Sequence, residues 1–472
     1  MMNKVNAAKL FGLMMGAAVC AASADERPMN VIMIYTDDQG YNDLGCYGSE
    51  MIRTPNIDRM AAEGVRFTDF NVMSSKCTPS RAALMTGCYP RRVSLQRGVV
   101  MDGHTHGLHP DEITMGDQMK SGGYATALFG KWHLGHADRS MLPQQQGFDV
   151  FFGLPYSNDM KLSPLLELKE GFVERDHAAG GVHFQRRSGL PQGVLMEGDV
   201  VIEYPTDQSM LTQRLTKRAQ SFIVDHKDQS FFIYLAHPMP HVPVDASPAF
   251  AGKSPFGPYG DAVEELDWSV GEILNTLKEE GLDKNTLVVY ASDNGPWGYG
   301  KAPDAKVGLA HPLRGTKGTV FEGGPRVPCI MWAPEHLPAR VYTGLVSNMD
   351  LFPTFSALAG IELADDREID GKNIWPLLRS EVTDEDVHEH LFYYEDRHGK
   401  IAGARQGSWK YVECEVKRNG PVVPQLYNLA EDIGEQQNVL KQHPEKVRQL
   451  REAMEKFDAI MEEEARPVLR IE

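Results

Sequence analysis

Short, almost wholly apolar runs recur along this chain, each too brief for a helix and rich in branched or aromatic residues. Asn30–Thr36 is the first, followed by Tyr124–Phe129, Ser230–Ala236, Leu287–Ala291 and Val327–Trp332. Unbroken apolarity over so few residues predicts strands buried on both faces. Between them the apolar positions return every three or four residues. That spacing predicts helices near Asn56–Glu63, Ile113–Lys120, Met210–Asp225, Ala262–Glu280 and Asp350–Ala359. Strands alternating with helices predict an α/β fold, a large mostly parallel sheet flanked by helices on both faces. Ligands in such folds sit beyond the carboxyl ends of the strands. The ionisable residues gather at that edge: Asp37-Asp38 after the first strand, Lys131-Trp132-His133 after the second, His237 to His241 after the third, and Asp293-Asn294 after the fourth.

Two regions break the rhythm. Residues 155–205 are glycine-rich and irregular, with Arg186-Arg187 in the middle, and read as an insertion and substrate loop rather than a core element. Near the end, His390–Asp396, Lys400–Arg405 and Gly407–Glu413 read as short strands joined by hairpin turns. Pro421–Asn428 adds another, and Pro444–Glu464 has helical spacing. At 472 residues the chain exceeds one ordinary core. A catalytic domain over 25–380 and a C-terminal subdomain over 381–472, a small antiparallel sheet plus helix, are therefore expected.

The first residues differ from both. Lys4 and Lys9 precede the apolar run Leu10–Val19, and Ala22-Ser23-Ala24 gives an A-x-A cleavage pattern. Residues 1–24 read as a secretory signal peptide whose apolar run is too short to span a bilayer. Val19 is a poor residue before a lipidated Cys20, so cleavage after Ala24 and a secreted or periplasmic location are expected. Cleavage removes two lysines and no acid, taking the formal charge from −17 to −19. Such a surface argues against nucleic acid and anionic membranes as partners. It also requires a local cationic pocket if the substrate is an anion. Six cysteines occur, and none shows a C-x-x-C pattern. With Cys20 in the signal and Cys77 set apart by its motif, Cys46, Cys88, Cys329 and Cys414 could pair in three ways, and spacing does not choose.

The chemistry starts at Cys77-Thr78-Pro79-Ser80-Arg81, a Cys-x-Pro-x-Arg pattern ahead of a helical run. Alone it could be a small buried thiol before a helix. Arg81 lies four residues after Cys77, so both can face one side of a helix start, where anions are favoured. Asp37-Asp38 and Asp293-Asn294 place oxygen ligands at the ends of two strands. Hard divalent cations take such oxygens, and adjacent carboxylates repel unless a cation lies between them. Either pair alone is also an ordinary turn sequence. Together, with Cys77 nearby, they read as a metal site. Cationic candidates are Arg81, Lys131 and Lys317. In Ala236–Pro243 the prolines fix where His237 and His241 point. His104, His106 and His109 have no carboxylate partner in their loop and read as a substrate subsite or polar surface rather than a metal centre.

Taken in order, DDQGYNDLGCYG, CTPSR, GKWHLG, PHVP, SDNGP and RGTKGTVFEGG resemble the arylsulfatase branch of the type I, formylglycine-dependent sulfatases, within the alkaline-phosphatase-like superfamily. The resemblance runs over about residues 29–360 and continues into the tail. It implies a sulfuric ester hydrolase whose Cys77 is oxidised to formylglycine by a maturation enzyme. It implies one Ca²⁺ per chain, held by Asp37, Asp38, Asp293 and Asn294 together with the modified Cys77. Arg81, Lys131, His133, His241 and Lys317 match the catalytic pocket, and His241 rather than His237 aligns as the catalytic histidine. In the implied reaction one hydroxyl of hydrated formylglycine attacks sulfur, aided by the metal and a carboxylate such as Asp293. Lys131, Lys317 and Arg81 hold the sulfate oxygens and His241 protonates the leaving alcohol. The second hydroxyl then expels sulfate. The implied substrates are sulfated carbohydrates or aryl sulfates. A phosphate or phosphonate ester hydrolase of the same superfamily is one rival; a secreted carbohydrate-binding protein that has lost catalysis is the other.

Overall fold

The computed structural model describes residues 27–175, 192–298, 308–379, 384–395, 397–415 and 420–472. The expected signal peptide, Cys20 and Arg186-Arg187 lie outside the described residues. Six strands form the centre of the main sheet: β1 (Asn30–Thr36), β2 (Ala125–Lys131), β3 (Val150–Leu154), β4 (Phe231–Ala236), β5 (Thr286–Ser292) and β6 (Cys329–Trp332). Their spatial order is β6-β5-β1-β4-β2-β3. All neighbours are parallel except β6, which runs antiparallel to β5. Every residue of β1, β2, β4 and β5 is buried, which accounts for their unbroken apolar sequences.

The pleat divides each strand between two cores. Val31, Met33 and Tyr35 face the layer containing helix Cys77–Thr86, with Leu84 and Phe352. Ile32 and Ile34 face helices Leu211–Asp225 and Pro258–Glu279, with Leu215 and Leu266. This arrangement puts the carboxyl ends of β1, β2, β4 and β5 at one edge, under the start of the Cys77 helix. None of the helices among the described residues is long and apolar enough to cross a membrane.

Two expectations need correction. Residues 155–205 are not simply irregular: Glu167–Glu174, Leu195–Glu197 and Val200–Tyr204 extend the main sheet beyond β3, and with Val65–Phe67 and Arg340–Tyr342 beyond β6 it counts eleven strands among the described residues. Glu167–Glu174 is exposed along nearly its whole length and charged, so it carries no apolar signal. In Val200–Tyr204 the inward position Glu203 is a buried carboxylate held by Arg175 and Arg214, at 2.9 and 2.8 Å. The second correction is that β2 runs on to Lys131, which therefore sits on a rigid strand end rather than in a loop.

Strands Leu391–Tyr394, Ile401–Gln406, Trp409–Glu415 and Val422–Asn428 form an antiparallel sheet in chain order. The Pro444–Glu464 helix covers it with Leu450, Met454 and Met461. Its core is shared with Ala83 of the Cys77 helix, with Met73 and Tyr89 on either side of that helix, and with Phe321 after Lys317. The open question of cysteine pairing is answered: Cys46, Cys77, Cys88, Cys329 and Cys414 are all unbridged.

Candidate active site

The ends of β1 and β5 are knitted together by their own acidic residues. Asp293 N–H donates to Thr36 O (3.0 Å), and Asp38 N–H donates to Asp293 Oδ1 (3.2 Å). Asn294 Nδ2 donates to Asp38 Oδ1 (2.7 Å). Asp38 holds φ at 63°, in the left-handed region that non-glycine residues seldom adopt. Such strain persists where its surroundings demand it, commonly at functional sites. Two acceptor oxygens here, Asp38 Oδ2 and Asn294 Oδ1, are buried and have no hydrogen-bond partner among the described residues. Asp37, Asp38, Cys77 and His241 bring one possible ligand atom each within 4.8 Å of one another. Anionic and amide oxygens with unused lone pairs, at the mouth of a sheet, fit a hard divalent cation.

Cys77 is the first residue of its helix, and Lys76 supplies no side-chain cap. The free N–H groups of that helix end therefore point toward the site. Cys77 Sγ lies 3.5 Å from Asp37 Oδ1 and 3.2 Å from Lys317 Nζ. Burial, and then the charge of Asp37, push its thiol up to about 12. The encoded thiol is thus unreactive as a thiolate near neutral pH.

Three cations gather here, Lys131 and Arg81 buried and Lys317 half-buried. Lys131 Nζ pairs with Asp37 Oδ2 and also lies 3.3 Å from Ser157 Oγ. A close backbone approach positions this lysine: a Cβ at Gly130 would meet Ala236 O at 1.9 Å, so only glycine fits beside β4. Lys317 Nζ lies 2.6 Å from Asp38 Oδ1. Arg81 is turned toward the carboxylates. Its Nε and Nη2 lie 3.0 and 2.8 Å from Asp293 Oδ2, and its Nη1 donates to Lys131 O and Tyr234 OH. These pairings split the two carboxylates that follow β1 and β5. Burial alone would raise Asp37, but Lys131, His241, Arg81 and Lys317 hold it well below the usual carboxylate range. Burial and the charge of Asp37 push Asp293 up to about 7, against the pull of Arg81 and Lys131. The carboxylate beside Sγ is Asp37, whereas Asp293 faces Arg81.

The histidines separate clearly. His241 Nε2 lies 3.6 Å from Asp38 Oδ2, inside the cluster. Its Nδ1 faces Val242 O (2.6 Å) and Asn158 Oδ1 (3.1 Å), two acceptors that require a proton on Nδ1. Burial and then Lys317 lower its basicity, opposed by Asp38 and Asp37. His133, at φ 65°, places Nε2 against Val100 O (2.9 Å) and leaves Nδ1 buried without a partner among the described residues. Burial, Lys131 and Arg81 keep it neutral. His237 is buried on the helix side, 3.0 Å from Ser269 Oγ, away from the acidic cluster. His104 and His106 stack on each other away from the cluster, and the expectation that this loop lacks a carboxylate partner is corrected at His109, whose Nδ1 lies 3.5 Å from Asp111 Oδ2.

Sequence reasoning missed Ser157 and Asn158, which contact Lys131 and His241. They follow β3, so the strand-end rule would have found them had Val150–Leu154 been recognised as a strand. Its Gly153 and exposed Val150 hid it.

Residues 29–361 match the sulfatase family, and residues 316–460 match the family described as N-sulphoglucosamine sulphohydrolase, C-terminal. Human arylsulfatase A is 36% identical, over 90% of this chain and 85% of its own. The N-acetylgalactosamine-6-O-sulfatase of Bacteroides thetaiotaomicron is 32% identical, over 90% and 92%. A solved sulfatase associated with glycosaminoglycan metabolism by Bacteroides thetaiotaomicron superimposes with a TM-score of 0.79 at 31% identity, covering 92% of this chain and all of that one. The family match over residues 29–361, with relatives above 30% identity that cover nine tenths of this chain, makes the protein a member of the sulfatase family and a sulfuric ester hydrolase.

Proposed function

We propose that this protein is a secreted or periplasmic sulfatase that removes sulfate monoesters from sulfated carbohydrates, using a formylglycine made from Cys77 and a bound calcium ion. The observation that carries this reading is the contact set of Cys77: Lys317 at 3.2 Å, Asp37 at 3.5 Å, and Lys131 paired with that same aspartate. Arylsulfatase A and the N-acetylgalactosamine-6-O-sulfatase are both relatives of comparable identity, so aryl sulfates remain usable test substrates. Residues 25–380 form the catalytic unit in this reading and 381–472 its C-terminal subdomain.

Formylglycine, once hydrated, supplies two hydroxyls on one carbon, one to take the sulfuryl group and one to release it. Asp37, Asp38, Asp293, Asn294 and the modified residue 77 would hold calcium, which would supply positive charge for the sulfate ester. Asp37 accepts a hydrogen bond from the attacking hydroxyl and orients it. Lys131 and Lys317 hold sulfate oxygens and offset the charge that develops on them. Arg81 acts one step back, holding Asp293 and the Lys131 carbonyl in place. His133 Nδ1 accepts a hydrogen bond from the modified side chain. His241, with Nδ1–H donating to Val242 O or Asn158, presents Nε2 to the leaving oxygen; only its doubly protonated form, which Asp38 and Asp37 favour, carries the Nε2 proton that is delivered there.

The test is sulfate release by the mature protein, co-expressed with a formylglycine-generating enzyme. It is measured against a panel of sulfated mono- and oligosaccharides and an aryl sulfate. Hydrolysis of phosphate or phosphonate esters in preference to every sulfate ester would overturn the assignment.

A further inference from the structure

One loop leaves the pocket wall and meets the end of the chain. Val100 N–H donates to Thr78 Oγ1 (3.1 Å), next to Cys77, and Val100 O accepts from His133 Nε2 (2.9 Å). A few residues on, the half-buried rings of His104 and His106 stack with centroids 5.0 Å apart and planes at 29°. The C-terminal segment is tied back onto this loop. Arg466 donates to the Glu112 carboxylate through Nε (2.7 Å) and Nη2 (2.9 Å), and Ile471 N–H donates to Thr105 O (2.9 Å). Leu469–Arg470 forms an antiparallel ladder with His106–Gly107, in which Arg470 is the partner of His106. Partners in such a ladder project to the same face. The exposed side chain of Arg470 therefore stands beside the histidine pair.

On a chain of net charge −17, an arginine placed next to two imidazoles is a local exception. Its planar guanidinium suits a carboxylate or a sulfate, and the imidazole rings add N–H donors and a flat face. Burial, with His104, Arg470 and His136 nearby, keeps His106 below the usual imidazole range, so its ring acts as a neutral donor.

We propose that His104, His106 and Arg470 form a subsite for a second anionic group, carried on the sugar next to the one that loses sulfate. This deepens the sulfated-carbohydrate reading above and rests on it. The catalytic pocket recognises one sulfate; this subsite selects substrates that are polyanionic.

The experiment compares the mature protein with Arg470→Ala, Arg470→Glu and the double variant His104→Ala/His106→Ala. Four substrates are used: 4-nitrophenyl sulfate, a monosulfated disaccharide whose second sugar is neutral, and the same disaccharide with either a second sulfate or a uronic carboxylate. Arg470→Ala raises KM about tenfold for a doubly anionic disaccharide, the loss of one charge-assisted contact, and leaves its kcat unchanged. Arg470→Glu raises KM further. The aryl sulfate and the neutral disaccharide keep their KM. Which anionic disaccharide responds identifies the group bound. Unchanged KM for both anionic disaccharides, or an equal loss on all four substrates, overturns the subsite while leaving the sulfatase reading intact. A parent enzyme that cleaves the aryl sulfate and none of the disaccharides overturns the carbohydrate reading and the subsite together.

Discussion

Lys317 Nζ stands 3.2 Å from Cys77 Sγ although 240 positions separate the two residues. The loop that carries Lys317 is fixed from behind. Glu322, five residues on, is wholly buried and bonded to Lys410 (2.7 Å) on the C-terminal sheet, and its N–H donates to Glu435 (2.7 Å). Arg326 and Arg405 complete the cluster around Glu322 and Asp69. The C-terminal sheet thereby sets the position of a residue in the pocket.

Breaking that cluster has a stability cost. Lys410→Met leaves Glu322 and Glu435 facing each other in the interior. Losing one member of a buried ion pair costs about 3–5 kcal/mol. Chemical denaturation of the variant measures it. A loss below about 1 kcal/mol would show that water replaces the lysine, and the cluster would then not brace the loop.

Cys77→Ala folds and hydrolyses nothing, because it removes one small side chain at the pocket wall. The active protein's Cys77 peptide is lighter than encoded, by the mass difference between CH₂SH and CHO. Specific activity tracks the converted fraction, read by peptide mass. Retention of a tenth of the parent rate by the variant, about 1.4 kcal/mol of barrier, excludes formylglycine as nucleophile.

Chelation abolishes activity and calcium restores it. Asp37→Ala loses the same activity while keeping its secondary structure, since Asp37 accepts from Lys131 and Cys77 rather than from the sheet ladder. Full turnover by a preparation shown metal-free by elemental analysis refutes the calcium assignment.

His241→Ala slows substrates with basic leaving groups more than activated aryl sulfates, because proton donation matters most where the departing oxygen is basic. Rates across a graded series of aryl leaving groups give the slope. A uniform loss across the series would move the proton donor elsewhere.

His237 governs acid stability instead. Burial pushes its imidazole down to about 3, against an ordinary value of 6.5. The unfolded chain binds a proton at this site between those values and the folded chain does not. Stability therefore falls as pH drops from 6.5 toward 3, by about 1.4 kcal/mol per pH unit from this group. His237→Gln flattens that part of the profile in thermal melts at stepped pH. An unchanged slope assigns acid sensitivity to other groups.

The sequence by itself determined the central strands other than Val150–Leu154, the helices between them, and which edge bears the chemistry. Each is a local signal. Strands buried on both faces need unbroken apolar runs, as in Asn30–Thr36 and Phe231–Ala236, and turn residues must follow them. The spaced motifs also indicated Asp37, Asp38, Cys77, Lys131, His241 and Lys317, which the fold brings into one cluster. Tertiary structure alone decided what depends on partners far along the chain. The strand Glu167–Glu174 lies exposed at a sheet edge, so burial never shaped its pattern. Arg81 faces Asp293 because β5 brings that carboxylate under the Cys77 helix. Ser157 and Asn158 matter only through contacts with residues 26 and 83 positions away. Arg470 reaches His106 because the terminal strand is tied down by Arg466 and Glu112, 354 positions apart. Periodicity records which face a residue buries; it holds no record of which distant residue it meets there.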